Sequence, residues 1–202
     1  MSELGEVFIS TFGKPDPAVP CGISFKGHNL AFFWDELQQE IGSGWFLDRF
    51  VYLFGEGLDD FQVCLDAWRF LLPDNKERMV VGKNAYGAML VAEEPSKHAL
   101  SSPIGILDPL TVSYQTDPNL IFSNLIGFYL PEKKLSQFLN TSLYDAWRKT
   151  LNDELELHEI LAIKVPLTLG GKMEASNFQP ENIVDYYQTT ADIYKNNIPI
   201  RR

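Results

Sequence analysis

The side chains able to do chemistry are scattered along the chain. His28, His98 and His158 have neighbours that complete no catalytic set. Glu156-Leu157-His158-Glu159 offers metal-ligand types. It has no HExxH pattern and no second histidine at helical spacing, so a solvated charged turn is the plainer reading. Cys64 with a distant histidine would make a nucleophile–base pair. Its position on the apolar side of a helix is better explained by a small buried residue. Gly55-Glu56-Gly57 lacks the third glycine of a dinucleotide fingerprint, and Gly82-Lys83 lacks the Ser or Thr of a P-loop. Leu169-Gly170-Gly171-Lys172 could form a backbone nest for an anion, but a tight turn fits it better. Carboxylate pairs such as Asp59-Asp60 and Glu93-Glu94 are common in any acidic chain and specify no acid–base chemistry without a pocket. The expectation is therefore a chain that is not an enzyme, with no cofactor and no metal.

Charge says more than motif. The 202 residues carry a formal net charge of -10, and 13% are aromatic. Direct binding to DNA or RNA is a poor prospect for such a chain, whereas a basic partner suits it. Residues 1–78 hold 13 acids against 6 bases, and Asp48, Glu56, Asp59 and Asp60 cluster around one strand–turn region. Cys21 and Cys64 are expected as two buried thiols in a reducing compartment. The first residues show no basic region followed by an apolar one, and no run of 18 apolar residues occurs. These features predict a cytoplasmic protein without a membrane span.

The elements that must position these groups follow from periodicity. Helices are predicted over 3–12, from Asn29 as N-cap to Gly42, over 60–72, and over 142–151. In the second of these, Leu30, Phe33, Trp34, Leu37 and Ile41 share a side. Phe50, Tyr52 and Phe54 alternate with Val51 and Leu53, as in a buried strand. Two hairpins are expected, one turning at Lys83-Asn84-Ala85 and one at Asp108-Pro109-Leu110. Asp117-Pro118 reads as an N-cap with proline at the first helical position, opening a helix to about 126. A short helix is expected near 131–139. A strand or irregular buried segment is expected at 160–171, and a last amphipathic helix opens at Pro180 with Ile183, Tyr187, Ala191 and Tyr194 inward. Asp-Ala-Trp-Arg occurs twice, at 66–69 and 145–148, and reads as two similar helices with buried tryptophans. The polar stretch between the hairpins predicts a boundary, giving an α+β chain of two packed subdomains, 1–98 and 99–202.

Several of these segments together resemble the GAD-like domain family. They are FISTFGKP (8–15), Ile41-Gly42-Ser43-Gly44, FVYLFGEGLDDFQVCLDAWRFL (50–71) and VVGKNAYGAMLVAEE (80–94). ILDPLTVSY (106–114) and the 165–187 segment resemble the C-terminal domain usually found with it. Their order spans nearly the whole chain. Proteins of this arrangement include immunity proteins of type VI secretion systems. The resemblance implies an antitoxin that binds and neutralises a nuclease (DNase) effector. On that reading Asp48, Glu56, Asp59 and Asp60 are the acidic contact residues, with Trp45 and Phe46 as aromatic anchors. Leu169, Gly170, Gly171 and Lys172 form a second candidate surface. The alternatives are a ligand- or peptide-sensing module and an enzyme of unrecognised type.

Overall fold

A computed structural model describes residues 2–151 and 154–197. Helix α1 (Glu3–Phe12) starts at Ser2, whose hydroxyl accepts the Gly5 N–H, and ends at Gly13. It turns Phe8 and Phe12 inward. Helix α2 (Ala31–Ile41) begins one residue later than an Asn29 cap predicts and has no side-chain cap; Trp34, Leu37 and Ile41 are its buried residues. Gly5 lets the two helices approach closely, because a Cβ there would stand 3.2 Å from the Glu40 Cβ.

The sheet strands are β1 (Gly44–Phe46), β2 (Val51–Leu53), β3 (Arg78–Asn84), β4 (Met89–Glu93), β5 (Pro103–Asp108) and β6 (Ser113–Ile121). They form one antiparallel sheet in sequence order. Both hairpins are present. The first turns two residues later than expected, over Ala85–Ala88, because Lys83 and Asn84 still belong to β3. The Asn84 side-chain oxygen accepts the Tyr86 and Ala88 N–H groups and so closes that turn. Between β2 and β3, short 3-10 turns flank α3 (Gln62–Ala67).

The expected division at 98/99 does not separate two cores. The polar stretch forms α4 (Pro95–His98) and a 3-10 turn. It joins β4 to β5, which pair from Met89↔Leu107 to Ala92↔Ile104. Phe122, from the second half, packs its ring 5.1 Å from Trp34 and 5.7 Å from Phe54 of the first. One apolar core therefore crosses the predicted boundary.

The helix predicted from Asp117-Pro118 is also displaced. β6 runs through both residues, and helix begins at α5 (Phe122–Asn124), passing into a π-helical turn over Leu125–Tyr129. β6 is the last strand of the sheet, so the missing N–H of Pro118 faces no further strand. Residues 131–139 form turns rather than a helix, although Leu135 and Phe138 are buried.

Helix α6 (Ser142–Leu151) matches its predicted span. β7 (Glu159–Ile163) and β8 (Phe178–Asn182) pair as a separate two-stranded sheet that includes Pro180. α7 (Ile183–Asn197) then starts from Asn182, whose side-chain oxygen accepts the Val184 and Asp185 N–H groups at 2.9 and 3.3 Å. All four inward residues predicted for α7 are buried. The two Asp-Ala-Trp-Arg tryptophans are buried as expected. Trp68 donates to the Tyr187 carbonyl at 2.9 Å and so ties α3 to α7.

Candidate functional site

The structure divides the sequence-predicted residues into three places. The first is the loop between β1 and β2. Trp45 and Phe46 are only 3% and 2% exposed, so they offer a partner no free surface and are not its anchors. The Gly-Ser-Gly break before them reads as a surface turn, but Gly44 is the first strand residue, and the chain at 16–19 covers it. Asp16 N–H donates to the Trp45 carbonyl, and Val19 N–H to that of Ser43. A Cβ on Gly44 would stand 2.4 Å from the Pro17 carbonyl oxygen. Phe46 faces α1, 5.5 Å from the Phe8 ring.

Trp45 lies on the other face with Tyr52 and Lys83, its successive register partners. Its ring carries two cations, Arg49 at 5.3 Å and Lys83 at 5.2 Å from the centroid. Lys83 is fully buried and donates to the Glu159 carbonyl at 2.7 Å. Loss of water around the ammonium pushes its pKa down to about 7.

Beyond Phe46 the backbone turns through Leu47, Asp48 and Arg49, all at positive φ (52°, 53° and 64°). Each such residue costs on the order of 1–3 kcal/mol unless its surroundings hold it. Here α6 holds the loop. Arg148 donates to the Asp48 carbonyl at 2.8 Å, and the Tyr144 hydroxyl reaches the Asp48 and Arg49 carbonyls at 3.1 and 3.2 Å. Arg49 and Arg148 also meet on Glu154, one on each oxygen, at 2.8 and 3.3 Å. These groups, with Lys14 and Asp16, line a polar cleft of about 550 Å³. The Asp48 carboxylate itself is exposed.

Glu56, Asp59 and Asp60 occupy the second place, at the opposite end of β2, and all three are exposed. Segment 154–158 connects the two ends. Arg49 grips Glu156 at 3.8 Å as well as Glu154, and His158 pairs with Asp60 at 3.0 Å. Glu154 and Glu156 are exposed and extend the acidic strip from Asp48 to Asp60. Sequence reasoning missed Glu154 as a site residue, and with it the two arginines that fix it. The contacts span about a hundred residues, and no local pattern announces them.

The third place is the turn at Leu169–Lys172, at the far end of the β7–β8 hairpin from His158. Gly170 and Gly171 N–H groups donate to the Leu167 and Pro166 carbonyls, so a turn and not an anion nest is built. Leu169 is 64% exposed.

The remaining chemical candidates have plain structural roles. Burial pushes the Cys64 thiol up to about 12, which keeps it protonated and a poor nucleophile. Cys21 and Cys64 are both free thiols, Cys21 half-buried. The Glu159 carboxylate accepts the Glu156 N–H at 3.0 Å, closing a turn. Among the described residues, no three His, Cys, Asp or Glu side chains converge as a metal site. No helix among them is long and apolar enough to cross a membrane.

No family model and no curated protein matches this chain. Among solved structures, it is similar to the crystal structure of Atu4351 from Agrobacterium tumefaciens, with a TM-score of 0.63 and 14% identity. The match covers 92% of this chain and 87% of that one. At that identity the likeness speaks for the fold alone.

Proposed function

We propose that this protein is a type VI secretion immunity protein that binds a nuclease effector and neutralises it in the cytoplasm. The observation carrying this reading is the exposed acidic strip of Asp48, Glu154, Glu156, Asp59 and Asp60 on a chain of net charge -10. Nuclease surfaces that hold DNA are basic, and complementary charge accelerates encounter and selects the partner. The ordered segments resembling the GAD-like family support the same reading. The strip covers the effector's DNA groove, taking the place of phosphates.

The test is co-purification with the product of the adjacent gene, followed by DNA cleavage by that product alone and in the complex. A tight complex in which cleavage is abolished supports immunity. No complex and undiminished cleavage overturn it. The cleft of about 550 Å³, where Lys14, Arg49 and Arg148 face Asp16, Asp48 and Glu154, favours a second reading, a ligand-sensing module. On that reading a small anionic ligand raises the unfolding temperature of the isolated protein, and substituting Arg148 removes the effect.

A further inference from the structure

The face built by α1 and α2 carries apolar surface that the core does not use. Phe32 and Phe33 are 64% and 56% exposed, and their rings meet edge to face with centroids 6.0 Å apart. Phe33, Leu4, Leu30, Leu37 and Leu100 line a mainly apolar groove of about 660 Å³. Its geometry is fixed from below. The Ser2 N–H and hydroxyl donate to the two Glu40 carboxylate oxygens at 2.7 and 2.6 Å, clamping the start of α1 to the end of α2. The charged residues that line the groove are acidic, with the Lys14 ammonium donating to the Glu40 carbonyl at one end. Glu36 and Glu40 line the groove, Glu3, Glu6 and Asp35 lie on the same two helices, and neither helix contains Lys, Arg or His.

We infer that this groove docks a basic amphipathic helix of a partner protein. Contiguous exposed apolar surface rimmed by polar groups marks an interaction site. A groove of this kind takes an amphipathic helix through anchors spaced i, i+3, i+4 and i+7. The rim decides the occupant. A second copy would set Glu36 and Glu40 against the same two carboxylates, and an anionic lipid surface would meet the same repulsion. Lys and Arg flanking an apolar stripe satisfy both the floor and the rim. The inference goes beyond the acidic strip of the immunity reading and stands whichever protein carries the helix.

The test uses the full chain and three synthetic probes of about four helical turns. One is a Leu/Lys peptide with an apolar stripe, the second its scrambled isomer without the stripe, and the third a Leu/Glu counterpart. Titration by fluorescence anisotropy should show saturable one-to-one binding of the first, at least roughly tenfold tighter than the second, and none of the third. Replacing both rings (Phe32→Ser with Phe33→Ser) should weaken that binding roughly tenfold or more. Glu36→Lys should weaken it and flatten its salt dependence. Both variants change exposed side chains, so unchanged unfolding midpoints confirm that they fold. Equal binding of the scrambled peptide, or binding indifferent to the double Phe variant, overturns the inference. So does a dimer in sedimentation, or binding to anionic vesicles, that the double Phe variant abolishes. None of these arms involves the nuclease, so the inference can fail while immunity stands, and the reverse.

Discussion

Replacing Lys83 by Met removes a fully buried ammonium from beneath Trp45. In the folded chain, desolvation pulls its pKa from 10.5 to about 7. Glu159 pulls it up, and Arg49 pushes it further down. Below about pH 7 the lysine is charged in both states and the full desolvation cost is present. Between about 7 and 10.5 the unfolded chain binds the proton and the folded chain does not, so stability rises with pH. Above that interval the dependence ends. At about 1.4 kcal/mol per pH unit, the native protein should gain roughly 2.6 kcal/mol relative to Lys83→Met between about pH 6 and about pH 9. The variant also leaves the Glu159 carbonyl without its donor, costing about 1–3 kcal/mol. That offset is nearly independent of pH and does not alter the slope. Urea unfolding of both proteins across this range measures the difference directly, because other titrating groups largely cancel. Parallel stability curves would refute the argument, and so would a native protein that loses ground as pH rises.

Four further outcomes are expected. Asp59→Lys with Asp60→Lys should slow association with the nuclease at low salt far more than at high salt. Stopped-flow rates check this, and an unchanged rate sinks the steering claim. Trp68→Phe removes the donor to the Tyr187 carbonyl and part of the α3–α7 packing, and should cost roughly 2–3 kcal/mol in denaturant unfolding. Asn182→Ala removes the cap of α7 and should cost about 1 kcal/mol, seen as a Tm lower by about 2–4 °C. Asp48→Gly places glycine at a positive φ and should raise stability by about 1 kcal/mol in the same assay; a fall would show that this loop is not strained.

Much of the fold was legible where local signals agree. α1 and α6 have the spans their periodicity predicts, and the inward face of α7 is the predicted one. The failures share a cause. Proline reads as a helix opener at Pro118 and Pro180, yet both sit in strands with an open side. Whether a strand has an open side is a property of the whole sheet. The connection near 98 shows a related limit. A polar connection marks a break in sequence, but β4–β5 pairing and the Phe122–Trp34 contact were invisible to composition.

The site was legible in sign and not in shape. Net charge located the acids, but the arrangement of Asp48, Arg49, Arg148 and Glu154 depends on α6 folding back onto a loop a hundred residues earlier. The aromatic residues show the limit most clearly. Helical spacing puts Phe33 on the same side as Trp34 and Leu37, and the anchor role implied for Trp45 needs it exposed. The structure reverses both, with Trp45 buried and Phe33 exposed. Periodicity reports which side of a helix is apolar and is silent on what covers it. Phe33 lies over the α1–α2 groove, where the core has ended and the apolar stripe has not. That surplus of apolar surface, inside a rim of carboxylates, is what distinguishes a docking face from a core face. It can be recognised only after the core has been assembled around it.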